Sequence, residues 1–288
     1  MIVVTMGMMN TLIDFLLQPL QYQFMQRGMI AAVLVGIVCA VVGTYVVLRG
    51  MAFFGDALAH TILPGIALGY LISGGARDVL FWWALGTAIL AALGIGAISK
   101  NSQIKEDTAI GIIFAGMFAL GIALISTVRS YAVDLSHFLF GDVLSVSTHS
   151  LWLILLFGGL VLLVIFAFYK EFTTISFDPV LAATLRLPVG LLNNLLLVLI
   201  AVTVAVSLQT VGVALMVAML VTPAATASLL THRLPRMMSL AAVFASLSGV
   251  IGLYLSYYLS IASGAAIVLT ATLLFIISFV WKKLKQNR

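Results

Sequence analysis

Runs of about twenty apolar residues recur along this chain of 288 residues, and they constrain its fold more than any other feature. A helix of about twenty residues crosses the hydrocarbon core of a bilayer. Only 8% of the residues are charged, whereas soluble domains carry about 25%. Because a spanning helix satisfies its own backbone hydrogen bonds in lipid, the sequence predicts an all-α, polytopic membrane protein.

The apolar runs divide into nine predicted transmembrane helices within one membrane domain, residues 1–288. The predicted spans are residues 28–48, 52–72, 79–99, 107–128, 150–169, 191–210, 212–230, 237–258 and 264–281. Residues 11–26 contain Asp14, Pro19 and several glutamines, so they favour an interfacial amphipathic segment over a further span. The shortest joints, near 48–52 and 210–212, are the places where this division is weakest.

The distribution of basic residues predicts the orientation of the chain. With nine spans the termini lie on opposite sides of the membrane. A cytoplasmic C-terminus places all 14 Lys and Arg residues inside except Arg27, Arg77 and Arg129. This arrangement obeys the positive-inside rule. We therefore expect an outside N-terminus, and the net charge of +5 needs no nucleic-acid partner to explain it.

The cytoplasmic segment 170–190 contains a signal for a short helix over residues 178–188. Asp178 is a favoured N-cap residue, and Pro179 fits the first helical position. Pro188 marks the other end of the segment. A short helix between two prolines in a cytosolic loop suggests a docking element.

Asp56 and His60 stand four residues apart within the second predicted span. Residues i and i+4 share one face of a helix, so the carboxylate and the imidazole point the same way. Ionisable groups inside a membrane cost free energy and usually line a pathway or meet a partner. Oxygen and nitrogen ligands suit a divalent transition metal. The spacing predicts a metal pathway, with a structural hydrogen-bonded pair as the alternative.

Two ligands are too few for a closed metal site, because even catalytic zinc sites usually keep three protein ligands. A symmetric dimer would bring a second Asp56 and His60 to the same axis. Pro64 lies four residues after His60, and Pro223 four after Met219, so each proline removes a helical donor from the earlier carbonyl. We interpret both prolines as kinks or gates, with the His60 carbonyl as an alternative extra ligand.

Missing motifs restrict the function further. The chain has no G-x-x-x-x-G-K-[ST] phosphate loop, so it is not expected to hydrolyse ATP. It also lacks the H-E-x-x-H motif of metalloproteases and the G-x-S-x-G motif of serine hydrolases. We expect a protein that is not an enzyme.

Three motifs carry a family resemblance. Residues 43–60 (GTYVVLRGMAFFGDALAH), 138–144 (FLFGDVL) and 221–227 (VTPAATA) resemble the permease subunits of ATP-binding-cassette importers for manganese, zinc and iron. The likeness runs from about residue 12 to the C-terminal tail. Ala59 differs from the serine that many relatives carry there, which removes one hydroxyl near the predicted site.

The resemblance implies a permease of the bacterial plasma membrane. Its implied partners are two cytosolic ATPase subunits, an extracytoplasmic metal-binding protein and a second permease, either an identical or a related chain. Asp56 and His60 would bind the transported ion, and no cofactor would be bound permanently. The helix at 178–188 would contact the ATPase through residues that include Asp178, Pro179, Ala182, Ala183 and Leu185.

Asp and His ligands accept Mn²⁺, Fe²⁺ and Zn²⁺ alike. Leu63, Pro64 and Gly65 resemble the manganese and iron relatives slightly more than the zinc ones, so we place manganese first. The main alternative is an autonomous metal channel or a proton-coupled secondary transporter. A membrane scaffold with a structural Asp–His pair is the third possibility.

Overall fold

The computed structural model describes residues 17–74, 77–102, 105–127 and 143–286, apart from the side chains of residues 77, 78 and 100–102. Throughout these ranges the regular secondary structure is helical. Within the described ranges, nine stretches are long and apolar enough to cross a membrane, which confirms the prediction of a polytopic all-α protein. They are Gln23–Leu48, Phe54–Ser73, Val79–Ser99, Glu106–Ser126, Thr148–Ala167, Val189–Val211, Val213–Leu230, Leu234–Leu259 and Ser263–Gln286.

Two of the spans, Phe54–Ser73 and Thr148–Ala167, consist of more than one helical segment. In chain order the α-helices are α1 (Gln23–Leu48), α2 (Phe54–Thr61), α3 (Leu63–Ser73), α4 (Arg77–Ser102), α5 (Glu106–Ser126), α6 (Thr148–Leu153), α7 (Gly159–Ala167), α8 (Tyr169–Phe177), α9 (Pro179–Thr184), α10 (Val189–Val211), α11 (Val213–Leu230), α12 (Leu234–Leu259) and α13 (Ser263–Gln286). A π-helical turn, Ile154–Gly158, joins α6 to α7.

Both of the weakest predicted joints are present, and each depends on a glycine. Gly50 has a φ of 70° in the turn after α1, and Gly212 has a φ of 78° between α10 and α11. Residues other than glycine rarely adopt a positive φ. The single residue Gly212 therefore ends one long helix and allows the next to begin at once.

The N-terminal boundary differs from the predicted one. Helix α1 begins at Gln23, so residues 23–26 belong to the first span and not to an interfacial segment. A 3₁₀ turn, Pro19–Gln21, precedes it, and the Gln26 amide donates to the Leu20 carbonyl at 2.6 Å. Glutamine is a good helix former, and here its amide also ties the turn to the helix. Residues 11–16 of the predicted segment lie outside the described ranges.

Helix α8 is absent from the sequence prediction, which assigned residues 170–190 a single short helix. Phe168 breaks the regular backbone after α7, and α8 then buries Phe172 and Ile175. The ring centroid of Phe172 lies 6.0 Å from that of Tyr45 near the end of α1. The spacing of the two buried residues is helical, but the segment is too short and polar for a sequence pattern to distinguish it from a loop.

Helix α1 forms the centre of the molecule and packs against α11, α12 and α10. It is the most buried of the nine spans, and α5 is the least buried. Gly43 on α1 lies directly against the Leu220 backbone, and Gly36 packs against Ala245. Small residues allow helix backbones to approach closely in membranes. These small residues let α11 and α12 pack closely on α1. Helix α5 packs on α2 and α3 and lies at the periphery of the molecule.

Candidate metal site

Asp56 and His60 share one face of α2, as their spacing predicts. His60 Nε2 lies 3.7 Å from Asp56 Oδ1, which is longer than a hydrogen bond. The side chains remain 37% exposed for Asp56 and 29% exposed for His60, while Ala57, Leu58 and Ala59 are buried. The carboxylate and the imidazole thus face the molecular surface side by side, with room between them for another atom to interact with both.

Aromatic side chains hold the imidazole of His60 on one side. Its ring makes edge contacts with Phe114 and Phe118 of α5, at centroid distances of 5.9 and 5.5 Å. Those two rings stack on each other at 5.7 Å, and Phe53 packs on Phe114. The sequence analysis missed this aromatic wall, although the i, i+4 spacing of Phe114 and Phe118 could have suggested a shared face.

The two nitrogens of His60 have different surroundings. Nδ1 is buried and has no hydrogen-bond partner in the part of the chain that the structure describes, whereas Nε2 is the atom beside Asp56. A metal bound by this imidazole would therefore use Nε2, on the same side as the carboxylate. In the described part of the chain, no third His, Cys, Asp or Glu joins the pair. Among the described residues, one copy of the chain therefore offers two candidate ligands at this position.

We expect Phe118→Ala to weaken the metal uptake that the sequence predicts by roughly 3- to 10-fold, because an aromatic pair is worth about 0.5–1.5 kcal/mol and the freed imidazole would adopt other rotamers. Initial rates of uptake, normalised to the amount of the protein in the membrane, measure this effect. Phe166→Ala is a matched control, since Phe166 is an exposed phenylalanine on a different span. An unchanged rate in Phe118→Ala would show that the aromatic wall does not position His60.

Pro64 marks a break in the second span. Helix α2 ends at Thr61, and α3 begins at Leu63 with Pro64 in its first turn. The Ile62 amide donates to the carbonyl of His60, so that oxygen already has a hydrogen bond. Gly121 of α5 approaches the break, where an added Cβ would lie 2.7 Å from Leu63 Cβ. The predicted kink is thus a division between two helices, and α5 packs against it.

Pro223 lies inside the continuous helix α11. It is buried, as is Met219, the residue whose carbonyl loses a helical donor. Of the third motif, residues 221–227, Ala224 and Ala227 are also buried. The described part of the second motif begins at Val143, and residues 138–142 lie outside the described ranges, together with Asp134 and His137. His149 is exposed in the first turn of α6.

The predicted cytosolic helix is present as α9, Pro179–Thr184, which is shorter than the predicted 178–188. Asp178 Oδ1 accepts hydrogen bonds from the amides of Val180 and Leu181, at 3.0 and 2.9 Å. Ala182 is buried, whereas Ala183 and Leu185 are exposed. Arg186 has a φ of 58°, and this left-handed residue ends the helical path before Pro188.

Removing the cap should loosen α9. We expect Asp178→Ala to destabilise the helix by about 1 kcal/mol, because two amides lose their acceptor. Hydrogen exchange at Val180 and Leu181 should then accelerate by roughly fivefold, the factor for that free energy. Asp178→Asn keeps a capping oxygen and should exchange almost as slowly as the original. Equal exchange rates in all three proteins would contradict the capping role.

Comparison with known protein families identifies the family of this chain. The model of the ABC 3 transport family matches residues 21–282, nearly the whole chain. The chain belongs to the ABC 3 transport family. It is therefore a multi-span membrane permease of the ABC type, as the three motifs indicate.

Individual relatives within the ABC 3 family match over almost their full length. The manganese transport system membrane protein MntC of Halalkalibacterium halodurans is 48% identical over 94% of this chain and 91% of its own. The chelated iron transport system membrane protein YfeD of Yersinia pestis is 37% identical over 96% of this chain and 92% of its own. The solved structure of PsaBC from Streptococcus pneumoniae, in complex with Fab, shares 41% identity, covers 93% of this chain and 95% of its own, and superposes with a TM-score of 0.79.

Proposed function

We propose that this chain is the membrane permease of an ATP-driven importer of divalent transition-metal ions, with manganese favoured over zinc and iron. The observation that carries the proposal is the half-exposed Asp56–His60 pair on α2. Ionisable side chains within a membrane-spanning helix are rare, and they usually pair with a partner or line a pathway. A carboxylate and an imidazole kept at this surface need a cation or a polar partner.

The relatives support a metal ion as the cargo. The name of MntC assigns manganese to that protein, and the name of YfeD assigns chelated iron to that one. We infer manganese first because the manganese relative is the more similar of these two. The ligand chemistry agrees with either metal, since an oxygen and a nitrogen ligand do not separate Mn²⁺ from Fe²⁺.

A second copy of the permease, or a related chain, would complete the site. Each chain offers two ligands, and the surface beside them is apolar, with Phe53, Ile112 and Leu120 exposed. Two such surfaces facing each other across a symmetry axis would enclose two carboxylates and two imidazoles. In that arrangement, α5 lies at the dimer interface and not in lipid.

ATP hydrolysis is assigned to separate cytosolic subunits that dock on α9. Four exposed side chains around this helix are apolar, namely Phe177, Val180, Leu181 and Leu185, and they lie beside the exposed polar residues Asp178, Thr184 and Arg186. An exposed apolar patch on a cytosolic loop marks a protein interface. The proposed orientation, with the N-terminus outside and the C-terminus in the cytoplasm of a bacterial cell, puts the patch on the ATPase side. An extracytoplasmic metal-binding protein would deliver the ion to the opposite side.

The whole chain then works as one permease domain. Metal enters from outside and binds between the two Asp56–His60 pairs, with Nε2 of His60 and the carboxylate of Asp56 as ligands. Movement of the ATPase displaces α9 and alternates access to the site. The division of the second span at Ile62 and the helical hydrogen bond missing at Pro223 provide places where the helices can bend. Two weak ligands per chain let the ion leave as well as enter.

Uptake by the reconstituted complex tests the proposal. Proteoliposomes with permease, ATPase and binding protein should accumulate Mn²⁺ only when ATP reaches the ATPase, and Zn²⁺ and Fe²⁺ more slowly. Accumulation without the ATPase would support the alternative of a channel or secondary transporter. If no metal accumulates and the purified chain binds none, the Asp–His pair is structural.

A further inference from the structure

Besides Tyr45, three side chains at the cytosolic end of the proposed permease carry buried polar atoms that have no hydrogen-bond partner among the described residues. They are Nη1 of Arg49, Oγ of Ser176 and Oδ1 of Asn193. Buried polar groups in proteins are nearly always satisfied, so each exception calls for an explanation. None of the three takes part in the proposed metal site.

These residues lie where several helices meet. Arg49 follows the last residue of α1, Glu106 is the first residue of α5, and Asn193 lies in the second turn of α10. The Asn193 amide donates to Glu106 Oε1 at 3.1 Å, which joins α10 to α5. The Glu106 carboxylate also acts electrostatically on Arg49. Burial lowers the pKa of the Arg49 guanidinium, and the charge of Glu106 opposes this change.

The cluster stands between the proposed ATPase contact and the proposed metal site. On one side, Tyr45, one helical turn before Arg49, packs on Phe172 of α8, and α8 leads directly into α9. On the other side, the turn that starts at Arg49 leads into α2, which carries Asp56 and His60. A displacement of α8 and α9 can therefore reach α2 through α1 and the turn that carries Arg49, beside the direct packing of α10 on α2.

We propose that Arg49, Glu106 and Asn193 form a polar relay that transmits the movement of α9 to the metal-binding helix α2. The inference rests on the proposed function and names the positioning residues that couple its two sites. The relay contains one hydrogen bond, between Asn193 and Glu106. Two of its buried atoms, Arg49 Nη1 and Asn193 Oδ1, are available for further hydrogen bonds. Such a cluster can exchange partners between two arrangements, for example by bringing Arg49 Nη1 onto Asn193 Oδ1. A fully satisfied cluster would resist that exchange.

Glu106→Gln is the most informative variant. Its amide oxygen can still accept from Asn193, but the charge that acts on Arg49 is gone. We expect uptake per ATP hydrolysed to fall by about tenfold, within the range for residues that couple two sites without contacting either ligand. Asp107→Asn is the matched control, because Asp107 is the adjacent exposed carboxylate on the same helix turn. An unchanged ratio in Glu106→Gln with normal assembly would overturn the relay.

A double-mutant cycle tests whether the charges act together. Arg49→Gln alone and Glu106→Gln alone should each lower uptake per ATP, and the double variant should be no worse than the poorer single one. If the reductions caused by the two single variants multiply in the double variant, the two residues act independently, which would contradict the relay. Arg49→Lys keeps the charge and should retain most of the coupling, which separates a relay defect from a folding defect.

A readout without metal separates this inference from the proposed function. Ala52 is exposed in the turn that leads into α2, and Ala52→Cys in a Cys39→Ala background places one thiol there for alkylation. In the complex with ATPase, trapping the nucleotide should change the alkylation rate, and Glu106→Gln should abolish that change. A change of the same size in Glu106→Gln, or no change in the starting protein, would refute the relay. If the relay responds but no metal is transported, only the proposed function fails.

Discussion

Asp56→Ala is expected to reduce metal uptake by at least about 100-fold, because losing even an outer-shell partner of a metal ligand typically costs 10- to 100-fold. His60→Ala should have a comparable effect. Both side chains are half-exposed, so their removal leaves no large internal cavity. The proteins should therefore reach the membrane at normal levels. Uptake of Mn²⁺, Fe²⁺ and Zn²⁺, measured separately in cells that carry the ATPase and the binding protein, gives the result.

Two controls make this expectation specific to metal binding. Thr61→Val changes a neighbouring residue whose hydroxyl donates only to the Leu58 carbonyl of its own helix, and its uptake should stay near the original. Co-purification with the ATPase should be normal in Asp56→Ala and His60→Ala. Normal uptake in both alanine variants would make the pair structural and would remove the basis for the proposed pathway.

Val180→Asp combined with Leu185→Asp is expected to abolish stable assembly with the ATPase. Both side chains are largely exposed, at 74% and 60%, so the substitutions should leave the fold of the permease intact. Burying two unpaired carboxylates in an apolar interface costs several kcal/mol, and an interface usually depends on a few such residues. Co-purification of the ATPase with tagged permease, followed by ATP-dependent uptake, measures the loss.

The control for this variant adds the same charge elsewhere. Lys285→Asp alters an exposed residue in the last turn of α13 and should retain the ATPase. Permease melting temperatures should be alike in all three proteins. Full ATPase binding by the Val180→Asp, Leu185→Asp variant would place the docking surface outside α9.

The spans were predictable because lipid imposes one strong rule on the backbone. An apolar run of the required length must be helical, and nine such runs lead to nine spans. Gly50 and Gly212 make the two tight joints possible, but neither glycine by itself marks a joint in the sequence. The N-terminal boundary was predicted wrongly, since the glutamines at 23 and 26 look polar in sequence yet extend α1 by more than one turn.

The site was predictable only in part. The shared face of Asp56 and His60 follows from the period of a helix, and so does the N-cap at Asp178. The aromatic wall was not predictable, because Phe114 and Phe118 reach His60 through the packing of α5 on α2. The cluster of Arg49, Glu106 and Asn193 likewise joins residues that are far apart in sequence. Contacts between helices, unlike the helices themselves, leave little trace in a single sequence.

The most direct test of the central claim is the number and kind of ligands that hold Mn²⁺ in the purified permease dimer. Titration should give one Mn²⁺ for two chains, and electron paramagnetic resonance with ¹⁵N-labelled histidine should detect nitrogen coupling that disappears in His60→Ala. That result would show the metal held between two Asp56–His60 pairs. One ion per chain, or nitrogen coupling that survives in His60→Ala, would contradict the account.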